Sequence, residues 1–486
     1  DEMTLTEVEL QETSTQDGRL SSEAVEVFNC LNEPGGISGQ IDAGFMIEVS
    51  LCREEQTVRP DPDGHYCSIA PPPNFTDPND QCSEIMMYHH VNEIYSYFKN
   101  RHDYTRYDRP LPALVNVQLT TNPMIPIPGL EPNPDGFIPL DNALFFPKEN
   151  WEAFAGQFGL PPRDTDLIVF FQGNADFAYD ASVVYHEYTH AMIGIERLQG
   201  YMPDRYGIDP SPAGMNEGLA DYFAATALDQ AEVGPYGIGS VDPRGGRDLT
   251  VAYQCPQDTH WEVHVHGRVI GSTMWAVREA VGAEIADRIM FNALELFNRN
   301  TTHQDASELI LAEAELEGEE TATAVRDLLL SYGMLDCVRS RPWESYSVNV
   351  SRDGVPYAVP SVSSIGVPGY RTIGAPAYKQ FYIEPRSSAG VKVSWTVQAA
   401  QSGFGGSSSP SPLTLAYRSG EPIEFALSPI GYTADGSVEA PLEDNQQSVT
   451  FSSACFTDDA PLHTIFLNTG SAELQLTRMR IEEVED

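Results

Sequence analysis

The sequence predicts an α+β protein whose final third is an antiparallel β-sandwich. Three observations carry this. Apolar residues recur near helical period over residues 83–98 and 269–281. Short runs rich in apolar and aromatic residues, 114–119, 141–146 and 166–171, read as strands. After Cys337 the helical pattern stops: Val391, Val393, Trp395 and Val397 alternate with polar residues, as do Leu413, Leu415 and Tyr417, then Leu474 and Leu476.

Residues 1–82 hold four of the seven cysteines (30, 52, 67 and 82) in a segment rich in Pro, Asp and Gly, with short extended stretches such as 25–29. That density predicts a disulfide-stapled, irregular β-rich lobe packed on the rest, in an oxidising compartment. Four cysteines allow three pairings, and no C-x-x-C favours a metal knuckle instead. Over 83–98, Ile85, Met86, Val91, Ile94 and Phe98 form an apolar stripe, with Ser83 as the expected N-cap. His89 and His90 read as ordinary polar positions on that helix. The three strands follow. Cys255 and Cys337 are candidates to pair, which leaves Cys455 alone.

The chemistry is concentrated in His186-Glu187-Tyr188-Thr189-His190 and Asn216-Glu217-Gly218-Leu219-Ala220-Asp221. Val183 and Val184 before the first segment, and Ala191, Met192 and Ile193 after it, predict a buried helix. Residues i and i+4 share a helical face, so His186 and His190 can offer two imidazole nitrogens to one ion. Glu187 sits about 100° around the helix, placed to take a proton from metal-bound water rather than to ligate. Two histidines leave a zinc ion short of protein ligands. Glu217 completes a His₂Glu set and leaves a position for water. Asp221, four residues on from Glu217, can accept the second N–H of a ligating imidazole.

Charge excludes some partners. With 71 acidic against 28 basic residues the formal net charge is −43, which repels nucleic acid and anionic membrane surfaces. No apolar run has the length of a membrane span. Two Asp/Gly-rich loops, Asp61-Pro62-Asp63-Gly64 and Asn133-Pro134-Asp135-Gly136, are candidates for Ca2+, although neither completes a loop motif and plain turns are the simpler reading. The chain starts at Asp1 without Met, as a processed form would.

On these residues the chain resembles the gluzincin zinc metallopeptidases, in particular the thermolysin and fungalysin families. The lead-in Asp180-Ala181-Ser182-Val183-Val184-Tyr185 and the Asn216–Asp221 segment both match in kind. The interval between His190 and Glu217 is more fungalysin-like. Arg197-Leu198-Gln199-Gly200 is similar to fungalysin's Arg-Leu-Thr-Gly, two residues further from the histidine. Val27-Phe28-Asn29 resembles the start of fungalysin mature domains. The likeness extends over about residues 83–336.

The resemblance implies a thermolysin/fungalysin-like, two-lobed zinc peptidase domain over residues 83–336, after the cysteine-rich region 1–82 and before a β-sandwich accessory domain at 345–486. It implies a secreted zinc metalloendopeptidase, a hydrolase acting on polypeptide substrates and made with a propeptide. Glu187 would be the general base. His264, in Val263-His264-Val265-His266-Gly267, would stabilise the oxyanion, with His266 as competitor. Asn142 and Ala143 would lie on an edge strand that pairs with substrate. Arg247 or Arg244 would contact a substrate carbonyl, and Tyr201 or Tyr206 the oxyanion. Two other readings stay open: an exopeptidase, although no Gly-x-Met-Glu-Asn-type amine-binding segment is present, and an adhesion protein in which the sandwich is the working part. The alternation that begins after Cys337 makes the sandwich an independent core, dispensable for chemistry.

Overall fold

The computed structural model describes residues 7–11, 18–42, 46–66, 69–70, 72, 77, 79–104, 109–118, 120–122, 136–151, 163–344, 356–365, 369–385, 390–400, 409–457 and 460–484. The chain divides into two compact units: residues 1–195 with 220–249, and residues 196–219 with 250–486.

The first unit is built on a six-stranded mixed sheet. Its strands are β1 (Val25–Asp42), β2 (Met46–Glu55), β3 (Leu111–Val117), β4 (Thr120–Asn122), β5 (Ala143–Phe146) and β6 (Leu167–Phe171), in the order β4-β2-β1-β3-β6-β5. β1, β3 and β6 run parallel, whereas β2, β4 and β5 pair antiparallel. The all-buried Leu-Ile-Val-Phe-Phe of β6 suits an interior strand. The first 82 residues are therefore not a lobe of their own. β1 lies inside the sheet because Val25 and Val27 are fully buried and Val25–Asn29 register against Leu111–Val115.

Helix α1 spans Gln81–His102, longer at both ends than its apolar stripe. Its N-cap is Asp80, which accepts from the Cys82 and Ser83 amides, so Ser83 is not the cap. A carboxylate caps as well as a hydroxyl, and this frees the Ser83 hydroxyl to donate to Asp176 Oδ2 at 2.6 Å. Cys82 is free and buried in the first turn, so it drops out of the expected cysteine framework, while Cys30 is disulfide-bonded. Cys67 lies outside the described residues.

The second unit combines helices with two sheets. Its helices include α4 (Val263–Val281), α5 (Ala283–Leu296), α6 (His303–Leu316) and α7 (Glu319–Ser331). Cys255 and Cys337 are disulfide-bonded. One sheet has the order β11 (Ser340–Pro342), β14 (Gln380–Ile383), β21 (Leu462–Asn468), β16 (Leu413–Ser419) and β19 (Gly436–Glu439), with β13 (Ala375–Pro376) beside β21; the other is β12 (Tyr357–Val359), β22 (Leu474–Val484), β15 (Gly390–Ala399) and β20 (Gln446–Ser452). The alternating Val391, Val393, Trp395 and Val397 face Phe381, Leu413, Leu415 and Phe466 in one core, as period-2 patterning requires.

That core also contains Ile208 and Trp261, which precede Cys337. Lys379, in the sandwich, donates to the carbonyls of Pro256, Gln257 and Thr259, and Arg339 forms an ion pair with Asp204. The expected independence of the sandwich is thus corrected: it shares its core with segments 196–219 and 250–262. The change of periodicity after Cys337 marks a change of secondary structure, not a domain boundary. Among the described residues no helix is long and apolar enough to cross a membrane.

A candidate metal centre

Helix α2 (Ala181–Ile193) carries the first motif. Asp180 caps it, accepting from the Ser182 amide, and its other oxygen accepts from the Tyr236 and Gly237 amides at 3.0 and 2.9 Å. One carboxylate therefore starts the helix and ties down the loop opposite. Gly194, at φ 76°, ends it. His186 and Glu187 are buried. His186 Nε2 and His190 Nε2 lie 3.0 Å apart, with the two rings nearly perpendicular. Two nitrogens turned toward one point is what the i, i+4 spacing predicts.

Helix α3 (Ser211–Leu228) carries the second motif. Asp221 Oδ1 accepts from His186 Nδ1 at 2.8 Å, which leaves Nε2 of that ring as the nitrogen that could ligate an ion. Glu217 stands one helical turn earlier. One ligand atom each from His186, His190 and Glu217 lies within 4.8 Å of the others, the only such three-residue group among the described residues. Two imidazoles and a carboxylate, with an outer carboxylate orienting one ring, suit a borderline divalent ion of the zinc type.

Arg247 makes a fork on Asp221, with Nε to Oδ2 at 2.7 Å and Nη2 to Oδ1 at 2.5 Å. Burial alone would raise the Asp221 carboxyl. Arg247 and His186 outweigh it and hold the group far below the usual carboxylate range. Expected from the resemblance to meet a substrate carbonyl, Arg247 is found holding the carboxylate that accepts from His186. Arg244 is half exposed and paired with Asp242.

His264 lies in the first turn of α4. Its Nε2 is 3.3 Å from Glu217 Oε2 and its Nδ1 is 2.6 Å from Glu262 Oε1. Glu262 is the N-cap of α4 and accepts from the His264 and Val265 amides. Burial pushes its carboxyl up, but the His264 ring and those two amides outweigh burial and hold it at about 2. This orienting role was missed in the sequence, where an acidic residue two before a motif histidine was the available signal. His266 sits elsewhere, fully buried, with Nδ1 2.8 Å from the His260 carbonyl oxygen.

The two tyrosines separate. Tyr201 stacks on Trp261 at 4.0 Å between ring centroids, and its phenol is pushed up to about 12, first by burial and then by Glu262, Glu473 and Glu217. Tyr206 lines a different cavity, with Arg205 over its ring. Ala143 begins β5, which among the described residues pairs with β6 alone and is the edge strand there; Asn142 Oδ1 accepts from the Ala143 amide. Phe145 of that strand stacks on His190 at 6.5 Å, bringing the strand beside a residue of the His-His-Glu group.

Of the calcium candidates, Asp61 accepts from the Asp63 and His65 amides, so that loop closes on itself as a turn. Asn133, Pro134 and Asp135 lie outside the described residues.

No protein-family model and no curated protein matches the chain. Among solved structures, a 4-O-methyl-α-glucuronidase of glycoside hydrolase family 115, with specificity for decorated arabinogalactans, is similar at 10% identity and a TM-score of 0.16, over 56% of this chain and 40% of that one. Similarity that low carries no argument about fold or activity.

Proposed function

We propose that the protein is a secreted zinc metalloendopeptidase hydrolysing internal peptide bonds. The observation that carries this reading is the His186, His190 and Glu217 group, held by two buried helices, with Glu187 next to a ligand on the same helix. Zinc, when bound, polarises a carbonyl and acidifies water. His186, His190 and Glu217 would hold it. Glu187 takes the proton from the attacking water and returns it to the leaving amine. His264, fixed by Glu262, donates to the oxyanion, with Tyr201 as the tyrosine partner. Asp221 keeps His186 in its ligating tautomer, and Arg247 keeps Asp221 charged. The edge that β5 forms among the described residues suits an extended peptide bound by strand addition.

The test joins metal content to turnover. Purified protein should take up zinc in a His186-dependent way and cleave casein. Glu187→Gln should retain that zinc and lose activity by about 10²–10⁴-fold, the usual cost of a missing general base. Near-wild-type peptide cleavage by Glu187→Gln, or zinc uptake unchanged in His186→Ala, would sink the reading.

A further inference from the structure

A cavity of about 420 Å³ lies in the second unit, lined in part by Tyr206, Asp209, Ser211, His266, His303 and Arg339. None of these residues takes part in the metal centre described above. His266 is 1% exposed and His303 5%, yet the Nε2 atom of each is buried without a hydrogen-bond partner. A buried polar atom left unpaired forfeits its bond to water with nothing in return, so two such atoms on residues of one cavity call for a ligand.

The tautomer of His266 says which kind. Its Nδ1 faces both the carbonyl oxygen of His260, at 2.8 Å, and the His260 amide nitrogen, at 3.3 Å. The shorter contact decides, because a carbonyl oxygen only accepts. Nδ1 therefore carries the hydrogen, and Nε2 keeps a buried lone pair that no donor meets. A ring whose other nitrogen donates to a backbone carbonyl is oriented as metal-ligating histidines are. Burial above all keeps both imidazoles neutral, pushing His266 down to about 3 and His303 to about 4. The two ring centroids are 5.0 Å apart, against 4.6 Å for His186 and His190.

The rest of the lining is mixed in charge. Arg339 donates to the carbonyls of Ile208 and Tyr378 and pairs with Asp204 and, at 4.0 Å, with Asp209. Asp209 acts on both rings in favour of positive charge and Arg339 against it, while Asp336 adds a further carboxylate to the lining.

We propose that His266 and His303 hold a second divalent ion of the zinc, nickel or copper class. Neutral imidazoles select that class over magnesium or calcium, which take oxygen ligands. The group with three protein ligand atoms in one place is that of His186, so at the second site water completes the coordination, and the cavity has room for it. Asp209 Oδ1 already accepts from the Ser211 amide at 2.9 Å and would hold such a water rather than the ion. The site is independent of the peptidase reading.

The experiment is metal stoichiometry on the full chain, by elemental analysis after dialysis against zinc, with anomalous scattering at the zinc edge from crystals of the wild type. Wild type should hold one more zinc than His303→Gln, and His186→Ala should retain the zinc that His303→Gln loses. An anomalous peak should stand between the His266 and His303 rings. A wild-type map with no peak there overturns the proposal whether or not the variants fold. So does a His303→Gln protein that holds as much zinc as wild type. Loss of zinc in His186→Ala alone, with no peak at the cavity, supports the first site and rejects the second.

Discussion

Single side chains carry the chemistry in chains of contact rather than alone. His186 is aimed by Asp221, and Asp221 is held by Arg247; His264 is aimed by Glu262 and meets Glu217. Asp221→Ala should therefore weaken zinc binding about 10–100-fold without removing a ligand. Competition with a chromophoric chelator measures this, and unchanged affinity would remove Asp221 from the role. A second buried carboxylate gives a pH prediction. Asp176, fully buried near Asp80, is pushed up to about 7 chiefly by burial, although Ser83, Gln172 and the Ala178 amide donate to it. Its folded value lies above its unfolded 3.8. Its contribution is thus fully present below about pH 4 and is lost as pH rises through about 7. Asp176→Asn cannot ionise, so its stability relative to wild type should rise between about pH 4 and 7. Denaturant titrations at several pH values check this. A constant difference would show that Asp176 does not titrate there.

At the scale of elements, the meeting of α3 and α4 depends on glycine. A Cβ at Gly218 would fall 2.1 Å from the Gly267 carbonyl oxygen, and one at Gly267 would fall 2.5 Å from the Gly214 carbonyl oxygen. The two helix backbones touch, and this close approach lets Glu217 on one meet His264 on the other. Gly218→Ala cannot be relieved by a side-chain rotation, because the obstacle is backbone. It should cost about 1–3 kcal/mol or more and lower zinc affinity as Glu217 is displaced. Chemical denaturation and zinc titration of the variant read the two effects. Stability within about 0.5 kcal/mol of wild type would mean that the helices separate without penalty.

For the whole molecule, the shared core decides what can be removed. A chain ending near Cys337 would strip the sandwich from Ile208 and Trp261 and leave Asp204 without Arg339. Burying a large apolar side chain contributes about 1.5–3 kcal/mol, and a domain has only about 5–15 kcal/mol of net stability. The truncated chain should lose its cooperative melt and bind a hydrophobic dye, while the full chain does neither. A truncation that melts cooperatively and cleaves a short peptide would show that the helical segment folds without the sandwich.

The local patterns were legible because their physics is local. Helical spacing put His186 and His190 on one face, Glu217 one turn before Asp221, and alternation marked the inward residues of β15. The cap of α1 was misplaced by three residues because Asp and Ser compete for the same role over a single turn. Two findings were not legible. One is that β1 enters the same sheet as β3 and β6, since strand pairing across 80 or so residues leaves no periodic trace. The other is that the sandwich shares a core with segments before Cys337, since periodicity reports which face is buried but not what covers it. Among the candidates, tertiary structure alone decided which histidine meets Glu217, which tyrosine lines another cavity, and that Arg247 holds Asp221. Those choices turn on distances between helices and loops, which residue spacing along the chain does not encode.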